Sequence, residues 1–280
     1  MMQSGQPSRT ARAAAAHRAA HQILEQGRIF ADPLALRILG EDAEALAREA
    51  EDAPQRRAMR LFIAARTRFA EDALAVAVTQ GVSQLVVLGA GLDTYAYRNT
   101  LGERLRIFEV DHPATQAWKR GRLADAAIAL PPALTFAPVD FEQQTLRDGL
   151  LAAGFDPLQR SFFTWLGVVP YLTEPAIFAT LGTIAGLAGG AQVVFDYGNP
   201  AASLPPQMRA VHEWHAARVA GLGEAWLSSF DTDQLGARLR AAGFSQIEDL
   251  GPAQIAARYF PERAGPVPGK GGHIIRAATF

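Results

Sequence analysis

Two glycines, Gly89 and Gly91, stand directly after the apolar run Leu85 to Leu88. Two acids, Glu109 and Asp111, close a second strand-like run about 20 residues further on, where a ribose-binding carboxylate belongs. Glycines let the backbone turn sharply and let a ligand come closer than a side chain would permit. Asp93 and Thr94 follow as helix-start residues, and a helix start offers N–H groups with no partner in the helix. Strand, glycine turn, helix and distant acid together describe a nucleotide site. The third glycine of the dinucleotide fingerprint is absent, because Thr94 stands there. A pyrophosphate is thereby disfavoured against a ligand with one nucleoside and no phosphate. S-adenosylmethionine fits that description.

Further side chains could complete such a site. Asp111 carries two acceptor oxygens for the two hydroxyls of a ribose, or it could cap the helix that opens at His112. Asp140 follows the third strand, where it could take the adenine amino group while the Phe141 backbone meets the ring edge. Glu109 reads as a strand-end acid beside the same site, without a defined role. Arg66 shares a helix face with Met59, Phe62, Ile63, Phe69, Ala70, Ala73 and Leu74. A guanidinium buried there without a partner costs several kcal/mol, so an internal carboxylate or an anionic ligand group must meet it. Arg60 and Arg68 fall toward the flanks of that face and are expected in solvent. Tyr171 and Tyr197 follow strands four and five and are the candidates to face a second substrate.

His212 and His215 sit three apart on a helix and could touch one metal ion, but no third ligand is placed by the sequence. A polar helix face accounts for them, and no metal is expected. Trp214 and Trp226 are read as lid or core packing. No nucleophile elbow or Walker loop is present, and no residue is named as an acid, base or nucleophile.

These residues need elements to hold them. Helix is expected from about Ala11 to Gln26, in a short piece at Phe30-Ala-Asp-Pro-Leu, over Glu41 to Asp52, and through the apolar-faced segment ending near residue 80. Strands are expected at 85–88, 105–110, 134–139, 161–169, 191–196, 244–250 and 272–280, with helices at about 94–100, 112 onward, 141–153, 173–187 and 231–242. That alternation predicts an α/β fold with a doubly wound, mostly parallel seven-stranded sheet. No crossover helix of usable length is expected between the last two strands, so the final strand should run antiparallel. The organisation read from this is an N-terminal helical cap over 1–80, a core over 81–280, and a lid insertion at about 199–230.

Composition bounds the rest. The chain has 280 residues, 49% of them hydrophobic, enough for one large core. Lys and Arg total 27 against 28 Asp and Glu, a net charge of -1 with no basic block, so nucleic acid is not an expected partner. There is no cysteine, which excludes disulfides and thiol catalysis and suits a cytoplasmic protein. No apolar run reaches a membrane span. The basic, acid-poor stretch from Thr10 to Ala20 shares features with a transit peptide but is read as an ordinary N-terminal helix.

Several motifs carry a family resemblance. They are Thr10-Ala-Arg with Arg18, Phe30-Ala-Asp-Pro-Leu-Ala, Ala65-Arg-Thr-Arg-Phe-Ala-Glu-Asp and Leu88-Gly-Ala-Gly-Leu-Asp-Thr-Tyr-Ala-Tyr-Arg98. Phe108-Glu-Val-Asp-His-Pro113, Val139-Asp-Phe141, Val168-Val-Pro-Tyr-Leu-Thr173 and Arg258-Tyr-Phe260 continue them. With these the sequence resembles the leucine carboxyl methyltransferase family, especially its bacterial branch of S-adenosylmethionine-dependent O-methyltransferases associated with polyketide or lipid chemistry. The resemblance implies that Arg66 binds the methionine carboxylate, that Gly89 and Gly91 line the methionine portion, that Asp111 holds the ribose, and that Asp140 with Phe141 holds the adenine. Leu166 departs from the pattern, since many members carry an acid there, so methylation of a protein phosphatase is not implied. The expected activity is transfer of a methyl group from S-adenosylmethionine to a carboxylate or hydroxyl of a small, partly apolar acceptor. Two alternatives stand beside it. An NAD-dependent oxidoreductase should show the third glycine and an all-parallel sheet, and a non-catalytic S-adenosylmethionine-binding protein would keep the cofactor site alone.

Overall fold

The computed structural model describes residues 9–40, 45–46, 56–140, 144–221, 223–262 and 267–280. The strands are β1 (Gln84–Leu88), β2 (Arg106–Asp111), β3 (Leu134–Pro138), β4 (Ser161–Trp165), β5 (Ala191–Gly198), β6 (Gln246–Leu250) and β7 (Gly272–Ala278). They form one seven-stranded sheet in the order β3-β2-β1-β4-β5-β7-β6. β2 runs parallel to β3 and β4 parallel to β5, while β7 runs antiparallel to both β5 and β6. Every residue of β1 is buried, which is why that strand reads as an unbroken apolar run rather than as an alternation.

The helices include α1 (Arg9–Leu24), α2 (Ala35–Leu39), α3 (Arg57–Thr79), α4 (Tyr95–Arg98), α5 (Pro113–Asp125) and α6 (Leu146–Ala152). They continue with α7 (Glu174–Ala185), α8 (Pro206–Gly221), α9 (Thr232–Ala241) and α10 (Pro252–Tyr259). Four expectations need correction. β4 ends at Trp165, because Gly167 takes φ +73° and the chain then enters a 3-10 turn at Val169–Tyr171. The helix expected over 94–100 is only four residues long. α10, with Pro252 in its first turn, lies between β6 and β7, where no helix of usable length was expected. The two strands are antiparallel nonetheless, since β7 inserts between β5 and β6. Arg60, expected in solvent, is buried and held by Glu25, as described below. Most of the helix expected over Glu41 to Asp52 lies outside the described residues.

The chain divides into two compact units. One contains the described residues of 4–72 and 85–155. Its core is made by small and aliphatic side chains: Ala15, Ala19 and Ala20 of α1 meet Ala35, Ile38 and Leu39 of α2, with Leu92 and Leu123. Alanine at these positions lets helix backbones approach closely, with Ile23 of α1 packed beside them. The other unit contains the described residues of 73–84 and 156–280. Phe162, Phe163, Phe195, Leu235, Leu239 and Ile274 are among its fully buried side chains. Asp231 caps α9 by accepting from the N–H groups of Asp233 and Gln234, whereas α8 has no buried residue. Among the described residues, no helix is long and apolar enough to cross a membrane.

Candidate functional site

The site residues on the first unit are set by three strand ends. β1 stops at Leu88, and the turn that follows places Gly89 at φ +63° and Gly91 at φ +42°. Both are left-handed conformations that a side chain resists. The Ala90 N–H donates to the Val110 carbonyl at 3.1 Å, and the Val139 N–H to the Asp111 carbonyl at 2.9 Å. These bonds extend the pairing past the strand ends and draw Gly89–Gly91, Asp111 and Asp140 to one edge. Asp140 lies two residues beyond Pro138, the β3 partner of Asp111.

Asp111 is the best-defined member. One carboxylate oxygen accepts the Gly91 N–H at 2.6 Å, and the other accepts the His112 N–H at 2.7 Å. Burial pushes its carboxyl above the ordinary range, while those two N–H donors pull the other way. The capping alternative is answered as well. The N-cap of α5 is His112, whose Nδ1 accepts the Ala114 N–H at 3.2 Å. Asp111 is free of that duty, and its two oxygens are fixed in direction by the backbone.

Thr94 explains the missing third glycine. It makes no side-chain cap on α4; instead its hydroxyl donates to Asp32 at 2.8 Å and accepts from Arg98 at 3.1 Å, fully buried. A helix of four residues brings little dipole to an anion, so this loop is not built for a pyrophosphate. Asp93 supports the turn by accepting the Tyr95 N–H at 2.8 Å.

Arg66 is buried on α3, as its position among apolar neighbours required, with 8% of its surface exposed. Arg60 is buried too. Its Nε and Nη2 each donate to Glu25 at 2.8 Å. Burial alone would raise the Glu25 carboxyl, yet hydrogen bonds from His21 and Arg60 hold it down at about 2. Arg68 is exposed and pairs with Asp72 one helical turn away, at 2.8 Å.

Glu109 differs from its reading as a strand-end acid. It is fully buried, with Lys119 Nζ at 2.8 Å and the Tyr97 hydroxyl at 3.2 Å. Burial outweighs the Lys119 charge and pushes the Glu109 carboxyl up to about 7. Lys119 went unnoticed in the sequence. Its spacing from His112 gave the only hint, since a lysine seven residues into a helix faces back toward the strand before it.

Phe141 lies outside the described residues. Tyr171 and Tyr197 lie in the second unit. Tyr171 ends the 3-10 turn after β4 and is half-buried. Tyr197 is buried on β5; its hydroxyl donates to Asp249 at 2.5 Å, and its ring stacks on His273 at 4.7 Å. His212 has its ring 5.0 Å from that of Trp226, and Trp214 is exposed. Among the described residues, no cluster of three or more histidines and acids could hold a metal ion.

With this geometry in place, residues 11–185 match the family described as leucine carboxyl methyltransferase. The chain belongs to that family. A relative in Bacillus subtilis, provisionally named an S-adenosyl-L-methionine-dependent methyltransferase, is 33% identical over 201 residues, covering 71% of this chain and 66% of its own length. One of the same provisional name in Mycolicibacterium gilvum is 31% identical over 210 residues, covering 73% of this chain and 62% of its own. This leucine carboxyl methyltransferase family member therefore spans just under two thirds of the length of each of those relatives. Among solved structures, one described as a possible exported protein from Bordetella parapertussis aligns over 99% of both chains at 14% identity and a TM-score of 0.50, a likeness of fold.

Proposed function

We propose that the chain is an S-adenosylmethionine-dependent O-methyltransferase whose acceptor is a small, partly apolar molecule bearing a carboxylate or hydroxyl. Family membership supports the methyltransferase reading, and the relatives' provisional names supply the cofactor. The observation that carries it is Asp111. Each of its oxygens spends one lone pair on a backbone N–H, leaving the other side of a rigid carboxylate for two hydroxyl donors. A cis-diol has that pattern. The glycine turn also packs tightly against α1, since a Cβ on Gly91 would stand 2.8 Å from that of Ala11.

In this reading Asp111 holds the ribose, Asp140 and Phe141 the adenine, Gly89 and Gly91 the methionine portion, and Arg66 its carboxylate. When bound, the cofactor supplies a methyl group on a positively charged sulfur, already activated for displacement. The protein's task is then to orient, because in-line alignment at near-attack distance can remove a large part of the barrier. Tyr171 and Tyr197 are the proposed acceptor contacts. A carboxylate acceptor needs no base at neutral pH, whereas an alcohol or phenol needs one within hydrogen-bond reach. The NAD alternative loses support from the antiparallel β7 and from the buried Thr94 in place of glycine. Calorimetric titration of wild type and Asp111→Ala with S-adenosylhomocysteine tests the reading. Wild type should bind and the variant should bind more weakly; equal affinity would remove Asp111 from the site.

A further inference from the structure

The N-terminal helix and the Phe30-Ala-Asp-Pro-Leu segment carry no role in the reaction as described above, yet both reach the glycine loop within the same unit. Arg18 of α1 donates through Nη2 to the Leu92 carbonyl at 2.5 Å, and through Nε to Asp32 Oδ2 at 3.2 Å. That same Asp32 oxygen accepts the Thr94 hydroxyl at 2.8 Å. Asp32 is itself oriented by the Leu34 N–H on its other oxygen, at 3.1 Å, and its own N–H donates to Gln22 of α1 at 2.9 Å. Ala11, at the start of α1, occupies the space that a side chain on Gly91 would need. Contacts from α1 and Asp32 thus fall on Gly91, Leu92 and Thr94 in turn. Arg18, Asp32 and Thr94 are 8%, 1% and 0% exposed, so these bonds are shielded from competing water.

The chemistry of the loop explains why it needs such support. Gly89 and Gly91 both adopt left-handed conformations, and glycine has many other conformations to occupy. The short α4 behind the loop cannot anchor it by helix packing as a long one would. Beyond Thr94, Arg98 donates to the Thr94 hydroxyl, is paired with Glu71 of α3, and lies over the Phe30 ring at 4.9 Å. A polar chain from α1 through Asp32 and Thr94 to α3 therefore adds to the bonds that the loop's own residues make.

We propose that Arg18 and Asp32 are positioning residues for cofactor binding: they form a buried clamp that sets the 89–94 loop in its binding conformation from the N-terminal segment. Neither side chain touches the cofactor; both act through Leu92 and Thr94. The proposal rests on the reading that this loop holds S-adenosylmethionine.

The test uses the full chain and S-adenosylhomocysteine, titrated by calorimetry below the melting temperature of every variant. Arg18→Lys keeps the charge but has one compact donor group, which cannot serve Asp32 and Leu92 as the guanidinium fork does. Asp32→Asn keeps the size and removes the charge. Each should lower affinity about fivefold or more, and the double variant should lose little beyond either single change, as expected of residues acting as one unit. A merely structural role predicts lower melting temperatures with unchanged affinity in the folded protein, and that result overturns the clamp. Hydrogen exchange on wild type gives a second measure that needs no variant. Ligand should slow exchange in both 89–95 and α1; protection of the loop with α1 unchanged also overturns it. Asp111→Ala run alongside separates the two levels. If that variant binds as wild type, the site reading fails; if only the Arg18 and Asp32 variants bind as wild type, the clamp alone fails.

Discussion

A carboxylate that binds a diol works only if its oxygens are fixed in direction, and Asp111 meets that condition through two backbone donors. Asp111→Ala removes a charged hydrogen-bond partner and should weaken S-adenosylhomocysteine binding by about 1–3 kcal/mol. The fold should persist, since β2 keeps its backbone pairing with β3; circular dichroism checks this. Arg66→Met retains the stem and removes the charge. If Arg66 meets the methionine carboxylate, affinity should fall at least tenfold, about 1.4 kcal/mol. Adenosine, which lacks that carboxylate, should bind wild type and variant alike; a parallel loss of adenosine binding would point to a structural role. The place of Asp111 at the end of β2 and the burial of Arg66 were legible in the sequence because each depends on local spacing, one on strand–turn–acid distance and one on helix periodicity. Arg60 was misread for the complementary reason. Its partner Glu25 lies 35 residues away, and periodicity within one helix cannot reveal an acid on another.

At the scale of elements, β2 and α5 are joined by a buried pair, Glu109 and Lys119. Burial sets the Glu109 carboxyl at about 7 in the fold, against 4.5 as its ordinary value. A proton is therefore held more tightly in the folded state. The stability this contributes is fully present below about pH 4.5 and is lost as pH rises through about 7. Glu109→Gln has no such proton, so its denaturation midpoint should change less across that window than the wild-type midpoint. Parallel curves for the two proteins would contradict the buried acid. Strands such as β1 and β5, buried on both faces, were legible as runs of mostly apolar residues. Boundaries set by turns were not. β4 stops early because Gly167 turns left-handed, and α4 stops at Arg98 because Asn99 turns extended, its side chain accepting the Leu101 N–H at 3.0 Å. α10 was hidden because its eight residues begin at Pro252 and are followed by a stretch rich in proline and glycine.

For the whole molecule, the alternation of strands and helices followed from sequence; the antiparallel β7, expected for want of the connecting helix that α10 supplies, separates this sheet from an all-parallel dinucleotide domain. The acceptor was not legible in the same way. The side chains proposed to meet it have partners in distant segments: Tyr197 donates its hydroxyl to Asp249, more than 50 residues later. The cofactor is the firmer prediction and the one on which every other proposal depends. Thermal unfolding with S-adenosylhomocysteine and, separately, with NAD tests it directly. At a ligand concentration about a hundred times the dissociation constant, binding to the folded state adds about 2.7 kcal/mol. The account predicts a rise of several degrees in Tm with S-adenosylhomocysteine and none with NAD, and a rise with NAD alone would contradict it.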